Sequence, residues 1–109
     1  MNFKVTAIPN FQKEAKKLIK KYPSLIKELS ELGTELSLHP EMGNPIGSSC
    51  FKIRLSIASK GRGKSAGARV ITYVYIMGTT VFLLYIYDKS DRAFISDKEL
   101  KELIKQIQE

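Results

Sequence analysis

Two apolar, β-branched and aromatic runs, Arg69 to Ile76 (RVITYVYI) and Val81 to Tyr87 (VFLLYIY), stand a few residues apart with Gly78-Thr79 between them. Runs of that composition favour extended backbone, and so short a gap containing Gly returns the chain antiparallel as a tight hairpin. Neither run alternates cleanly between apolar and polar, so both are expected to be central strands covered on much of both faces. Everything else in the chain must supply that cover. With 109 residues there is room for one core, hence one domain spanning 1–109.

The covering elements are legible in turn. Phe3, Val5 and Ala7 alternate with Asn2, Lys4 and Thr6 as a short first strand. Pro9-Asn10 is expected to stop it, with Asn10 capping a helix whose apolar stripe is Phe11, Ala15, Leu18, Ile19 and Tyr22. Lys13, Lys16, Lys17, Lys20 and Lys21 surround that stripe. Tyr22-Pro23 forces a break, because a residue before proline avoids the helical region. Leu25, Leu29, Leu32 and Leu36 then define a second helix, closed by His39-Pro40, so the two form an antiparallel hairpin. Gly33 costs that helix about 1 kcal/mol relative to Ala, too little to abolish it. Glu41 to Ser49, rich in Gly, Pro and Ser, reads as loop.

Phe51, Ile53, Leu55 and Ile57 alternate with Lys52, Arg54 and Ser56, giving a strand with one buried face and one cationic face. Ser96-Asp97-Lys98-Glu99 is a capping box ahead of the apolar stripe Leu100, Leu103, Ile104 and Ile107 of a closing helix. The order β-α-α-β-β-β-α predicts an α+β fold, with a helical hairpin on a meander of strands.

Charge is distributed unevenly over this plan. No acid occurs between Glu41 and Asp88, whereas Lys52, Arg54, Lys60, Arg62, Lys64 and Arg69 all fall there. Elsewhere the remaining twelve Lys and Arg nearly balance the eleven Asp and Glu, so the net charge of +7 is a property of one segment. A concentrated basic surface on a small fold points to a polyanion, most commonly nucleic acid. Other classes are disfavoured. The longest apolar strip is of strand length, far short of a membrane span, and the start MNFKVTAIPN lacks the pattern of a signal peptide. A single Cys50 precludes an internal disulfide, and with one His, one Cys and no carboxylate cluster a zinc site is not expected. A cytoplasmic protein with no cofactor and no membrane partner is the expectation.

Gly63-Lys64-Ser65 looks like the tail of a phosphate-binding P-loop, but Ala58 stands where the first glycine belongs, and a strand rather than a helix comes next. Nucleotide hydrolysis is therefore rejected. Gly61, Gly63 and Gly67 leave the segment free to let backbone N–H groups approach an anion, or simply to connect two strands through solvent. Lys52 and Arg54, at i and i+2, project from one strand face, and Arg69 opens the neighbouring strand. Like charges placed so close favour a bound anion, as an RNA backbone would supply. Tyr73, Tyr75 and Tyr85 are expected to pack, whereas Tyr87, at a strand end before Asp88-Lys89, is placed to stack on a base. His39 reads as a capping or surface residue and Cys50 as a packed one.

These features in order resemble the RelE/ParE superfamily of toxins from type II toxin–antitoxin systems, and most of all its HigB-like branch. The likeness covers the chain: the first strand, the Lys-rich helical hairpin, FKIRL, GRGKSAGARVITY and YDKSDRAFISDKELKEL. It implies a RelE-like fold with a mainly antiparallel twisted sheet. It also implies an endoribonuclease (mRNA interferase) that enters the ribosomal A site and cuts mRNA without metal. Implied partners are mRNA, the ribosome with its RNA, and a cognate antitoxin, typically a helix-turn-helix protein. Carried over by position, Lys52, Arg54 and Arg69 match the family's basic cluster, with Tyr87 and Lys89 at the end of the last strand. Lys60, Arg62 and Lys64 match a basic loop that would grip nucleic acid.

The chain departs from better-known cutters in having neither an aromatic residue nor a histidine near its end, LIKQIQE. Arg54 and Arg69 suit the phosphorane, Lys52 is the candidate base, and Lys89 or Tyr87 would act as acid or stacking group. Two alternatives stay open: a ParE-like poison of DNA gyrase, and a non-enzymatic nucleic-acid-binding module.

Overall fold

The computed structural model describes residues 2–60 and 67–107. The elements run β1 (Lys4–Ala7), α1 (Pro9–Lys21), α2 (Leu25–Leu38), β2 (Asn44–Gly47), β3 (Cys50–Leu55), a 3-10 turn (Ala58–Lys60), β4 (Ala68–Tyr75), β5 (Thr80–Asp88) and α3 (Asp97–Ile107). Five strands form one sheet in the order β1-β5-β4-β3-β2. The β4–β5 hairpin lies inside it, as its apolar runs require, and every pairing is antiparallel except β1 with β5.

Side-chain alternation assigns the two faces. Ile53, Val70, Thr72 and Val74 are all buried and share the face that α2 covers, where Leu32 of the helix meets Ile53 and Leu55 across one groove. Arg54, Lys52 and Cys50 project from the opposite face, opposite Arg69, Ile71 and Tyr73. α3 packs on that second face, its Leu103 beside Tyr85 and its Ile104 beside Tyr73. Between Ile71 and Thr72 the β4–β5 register shifts by one residue of β5, a bulge that places Leu84 as the extra residue. The shift lets Phe82 share a face with Tyr85 and Tyr87, and its ring lies 6.3 Å from that of Tyr73.

Local expectations hold where the cause is local. The Tyr22-Pro23 break separates α1 from α2, His39 ends α2, and Ser96 and Glu99 form the reciprocal capping box at 3.2 Å in each backbone direction. Two boundaries differ. Pro9 begins α1 at its first position instead of ending the strand, because proline's fixed φ and missing donor both suit that site. Ile8, not Asn10, is the cap residue, and it makes no side-chain cap bond.

The segment expected to be loop contains β2, which pairs along the outer edge of β3. Ser48 and Ser49 turn between the two strands, both with positive φ (55° and 61°), the backbone of a two-residue hairpin turn. Pro45 sits in this edge strand, where a missing donor is tolerated. Among the described residues no helix is long and apolar enough to cross a membrane.

Candidate functional site

β3, β4 and β5 bring three of the expected site residues into one row. Arg54 lies directly opposite Arg69, and Arg69 directly opposite Tyr87. The next row on the same face is Lys52, Ile71 and Tyr85. Directly opposed residues have Cβ atoms about 4.5–5.5 Å apart, so the Arg54 and Arg69 side chains leave the sheet next to each other. The strands place Lys52 beside that pair, two residues from Arg54. Arg54 is exposed and Lys52 half-buried, and among the described residues neither forms an ion pair. Arg69 is only 4% exposed, and its Nη1 donates to the Ala68 carbonyl at 3.1 Å.

Tyr87 departs from expectation. Its place at a strand end suggests a ring offered for stacking, but Tyr87 is 4% exposed. The Arg92 guanidinium lies 5.5 Å from its ring centre and 5.6 Å from that of Tyr85. The Tyr87 hydroxyl donates to the Ala93 carbonyl at 3.4 Å. Burial pushes its phenol up, partly offset by the charges of Arg69 and Arg92, so it holds its proton at neutral pH and is no base.

Arg92 itself is held by a two-pronged pair to Glu99, at 3.0 and 2.7 Å, and by the Phe94 carbonyl at 3.1 Å. Hydrogen bonds from Arg92 first, then from Ser96, bring the Glu99 carboxyl down to about 2. The capping-box glutamate thus has a second task, locking the arginine that covers the two tyrosines. Sequence reasoning misses Arg92, whose only signal is its place in the turn after β5. Lys89 stands in that same turn, half-buried, its backbone N–H donating to the Gly67 carbonyl at 3.0 Å.

Lys60 also departs from expectation. It ends a 3-10 turn docked on the start of α2, where Glu28 accepts the Ala58 N–H at 2.6 Å and Ser24 accepts the Ser59 N–H at 2.9 Å. From there its ammonium reaches inward to the Asp88 carboxylate and to the Ser90 hydroxyl, and lies 5.6 Å from the centre of the Tyr22 ring. Asp88 is 2% exposed and accepts further bonds from the Tyr22 hydroxyl at 3.0 Å and from Ser90 N–H and Oγ at 2.9 and 2.7 Å. Burial alone would raise the Asp88 carboxyl, but the bonds from Lys60, Ser90 and Tyr22 outweigh it and hold it well below the usual carboxylate range. Lys60, half-buried, is therefore a structural partner of Asp88 rather than a loop cation reaching into solvent.

Arg62 and Lys64, together with Gly61 and Gly63, lie outside the described residues. Gly67, read as a loop glycine, is a packing glycine: a Cβ there would stand 2.1 Å from the Leu55 carbonyl oxygen. β4 begins at Ala68, so no helix comes after Ser65 to hold nucleotide phosphates. Cys50 is buried as expected, and burial pushes its thiol up to about 12.

Residues 3–108 match the family model described as the RelE toxin of the RelE/RelB toxin–antitoxin system. Among solved structures, a mutant of Escherichia coli toxin RelE in the free state is similar at 21% identity, with a TM-score of 0.65 over 98% of this chain and 99% of that one. The toxin–antitoxin complex RelBE2 from Mycobacterium tuberculosis is similar at 20% identity, with a TM-score of 0.62 over 81% of this chain and 99% of its counterpart. The isolated E. coli RelE toxin matches at 20% identity and a TM-score of 0.60, over 96% of this chain and 98% of that one. At these identities the structures establish a shared fold.

Proposed function

The chain belongs to the RelE family of toxins from toxin–antitoxin systems, and on that footing we propose that it is a metal-independent endoribonuclease that cuts mRNA in the ribosome and is silenced by a cognate antitoxin. The observation that carries this reading is the placement of Lys52, Arg54 and Arg69 at adjoining positions on one sheet face. Three cations drawn together by rigid strands favour a phosphodiester between them. A guanidinium fork donates two parallel hydrogen bonds to phosphoryl oxygens, and a second guanidinium opposite it brackets the same phosphate.

In the proposed reaction the 2′-oxygen attacks the adjacent phosphorus, a 2′,3′-cyclic phosphate forms, and the bond to the 5′-oxygen breaks. The 2′ proton goes to a base and the departing 5′-oxygen takes a proton from an acid. Arg54 and Arg69 stabilise the dianionic phosphorane, Lys52 is the base, and Lys89 is the acid. Tyr87 keeps its proton and stays packed under Arg92, so its part is to support Arg69 across the row rather than to stack on a base. The complex of the M. tuberculosis relative supports an antitoxin as the natural partner. A helix-turn-helix antitoxin is the kind expected.

The test is primer extension on mRNA from ribosomes programmed with a defined codon in the A site, together with analysis of the product ends. The expected result is discrete cuts leaving cyclic phosphate and 5′-hydroxyl ends. Wild-type rates for both Arg54→Ala and Arg69→Ala would overturn the roles assigned to them. Intact mRNA together with stalled gyrase on DNA would overturn the nuclease reading in favour of a gyrase poison.

A further inference from the structure

Arg54 borders two regions of opposite character. On the α2 side it shares a groove with Glu28, Glu31 and Glu35, and on the β3 side it adjoins Lys52 and Asn44. A polyanion held at Arg54 is therefore repelled from the α2 side and drawn along β3. In that direction the same sheet face continues to Cys50, opposite Tyr73, four residues or about 13 Å from Arg54.

A second groove opens there, about 360 Å³ in volume, between α3 and the β2–β3 turn. It is lined by Ser48, Tyr73, Ile104, Lys101 and Lys105, with no acid among them. Tyr73 is half-buried and braced by Phe82, which makes it a fixed aromatic wall. Lys101 and Lys105 are one turn apart on α3 and both exposed. The pair from Lys105 to Glu102 is 3.8 Å long between side chains that are 72% and 63% exposed, too weak to hold the ammonium against a phosphate. Glu99 and Glu102 of α3 line a separate groove with Tyr85 and Asn10, and Asp97, one turn before Lys101, lines neither groove.

We propose that this groove is a subsite for single-stranded RNA: a nucleotide flanking the cut stacks on Tyr73 and Ile104 while its phosphates meet Lys101 and Lys105. Aromatic faces beside cations are what single strands use when recognition does not depend on base identity. The assignment rests on the nuclease reading and adds to it the direction in which the strand leaves the cutting row, away from α2 and toward α3.

The experiment measures binding of a short RNA, blocked by a 2′-O-methyl group at the cut site, by fluorescence anisotropy across a salt series. Lys101→Ala/Lys105→Ala is expected to weaken binding about tenfold and to flatten the salt slope by about 1.4, two phosphate contacts on a single strand. Tyr73→Leu, which keeps an apolar neighbour for Phe82, should weaken binding about tenfold with the slope unchanged. Lys98→Ala removes one positive charge from a residue that lines the neighbouring groove and should leave both quantities as in the wild type. Thermal unfolding checks that each variant is folded.

Unchanged RNA affinity in the double variant would overturn the proposal, as would an equal loss in Lys98→Ala, which would reduce the effect to net charge. Loss of cutting on ribosomes with binding of the free strand intact would also overturn it, by assigning the groove to ribosomal RNA. If the wild-type protein neither cuts mRNA nor binds the strand, the nuclease reading itself fails. If it cuts and the double variant binds normally, the subsite alone fails.

Discussion

Lys52 and Arg54 come from the same acid-free stretch as Lys60, yet the fold puts the two groups to opposite uses. Lys52 and Arg54 stand on β3 beside Arg69, and among the described residues no carboxylate neutralises either of them. Lys60 reaches inward to the buried Asp88, a residue 28 positions away. One region leaves its charge without a carboxylate partner among the described residues, and the other uses its charge inside the fold. A run of basic residues thus reports a surplus of positive charge, and only the spatial placement of the nearest acids decides which cations are available to a phosphate.

The largest expected effect tests the buried side of that contrast. Lys60→Met leaves Asp88 without its counter-charge and is expected to cost about 3–5 kcal/mol in urea unfolding, because a buried charge stripped of its partner is costly. Adding Asp88→Leu should recover most of the loss, whereas Lys52→Met, on the open face, should cost less than about 1 kcal/mol. Equal costs for Lys60→Met and Lys52→Met would break the comparison.

The functional side is tested next. Arg54→Ala is expected to slow cutting on programmed ribosomes about 10²–10³-fold, as removal of one preorganised donor to the transition state does, with little change in stability. Arg54→Lys should recover only part of the rate, since an ammonium cannot reproduce the guanidinium fork. A smaller, pH-dependent effect belongs again to Asp88. Its folded carboxyl is held below its unfolded value, so the stabilisation is fully present above the ordinary pKa of about 3.9 and is lost as pH falls through and below it. The gap in unfolding free energy between wild type and Asp88→Asn should therefore be narrower at pH 3 than at pH 7. Parallel pH curves would remove Asp88 from the account.

The smallest effect sits between the two regions. Arg92→Ala removes a two-pronged but partly exposed pair with Glu99, side chains 30% and 45% exposed, and should cost about 1 kcal/mol. It should also change the near-ultraviolet circular dichroism of Tyr85 and Tyr87, which lose the guanidinium above their rings. An unchanged tyrosine signal would show that Arg92 does not order that end of the row.

Much of the fold is legible because its causes are local. The alternation from Phe51 to Leu55, the proline after Tyr22 and the Ser96–Glu99 box each act within a few residues, and each element forms where expected. β2 is not legible, since Asn-Pro-Ile-Gly has no strand pattern of its own and becomes a strand by pairing with the edge of β3. Pro9 misleads because a proline can end a strand or begin a helix, and the packing of Phe11 and Ala15 into the core selects the helix. In the site, the alignment of Lys52 with Arg54 comes from a period of two, but the alignment of Arg54 with Arg69 and Tyr87 needs the registers of two strand pairs. The burial of Tyr87 needs Arg92, and the inward reach of Lys60 needs Asp88.

By itself, then, the sequence determined the number and kind of most elements, the central position of the β4–β5 hairpin and the sign and place of the excess charge. Propensity, periodicity and proline sterics operate over one turn or one pleat, and those distances are written in adjacent residues. The tertiary structure decided which basic groups remain open to a phosphate and which are consumed. That outcome depends on the desolvation of Asp88, paired with a residue 28 positions away, and on strand registers joining site residues 15 and 18 positions apart, and neither is a property of any short stretch.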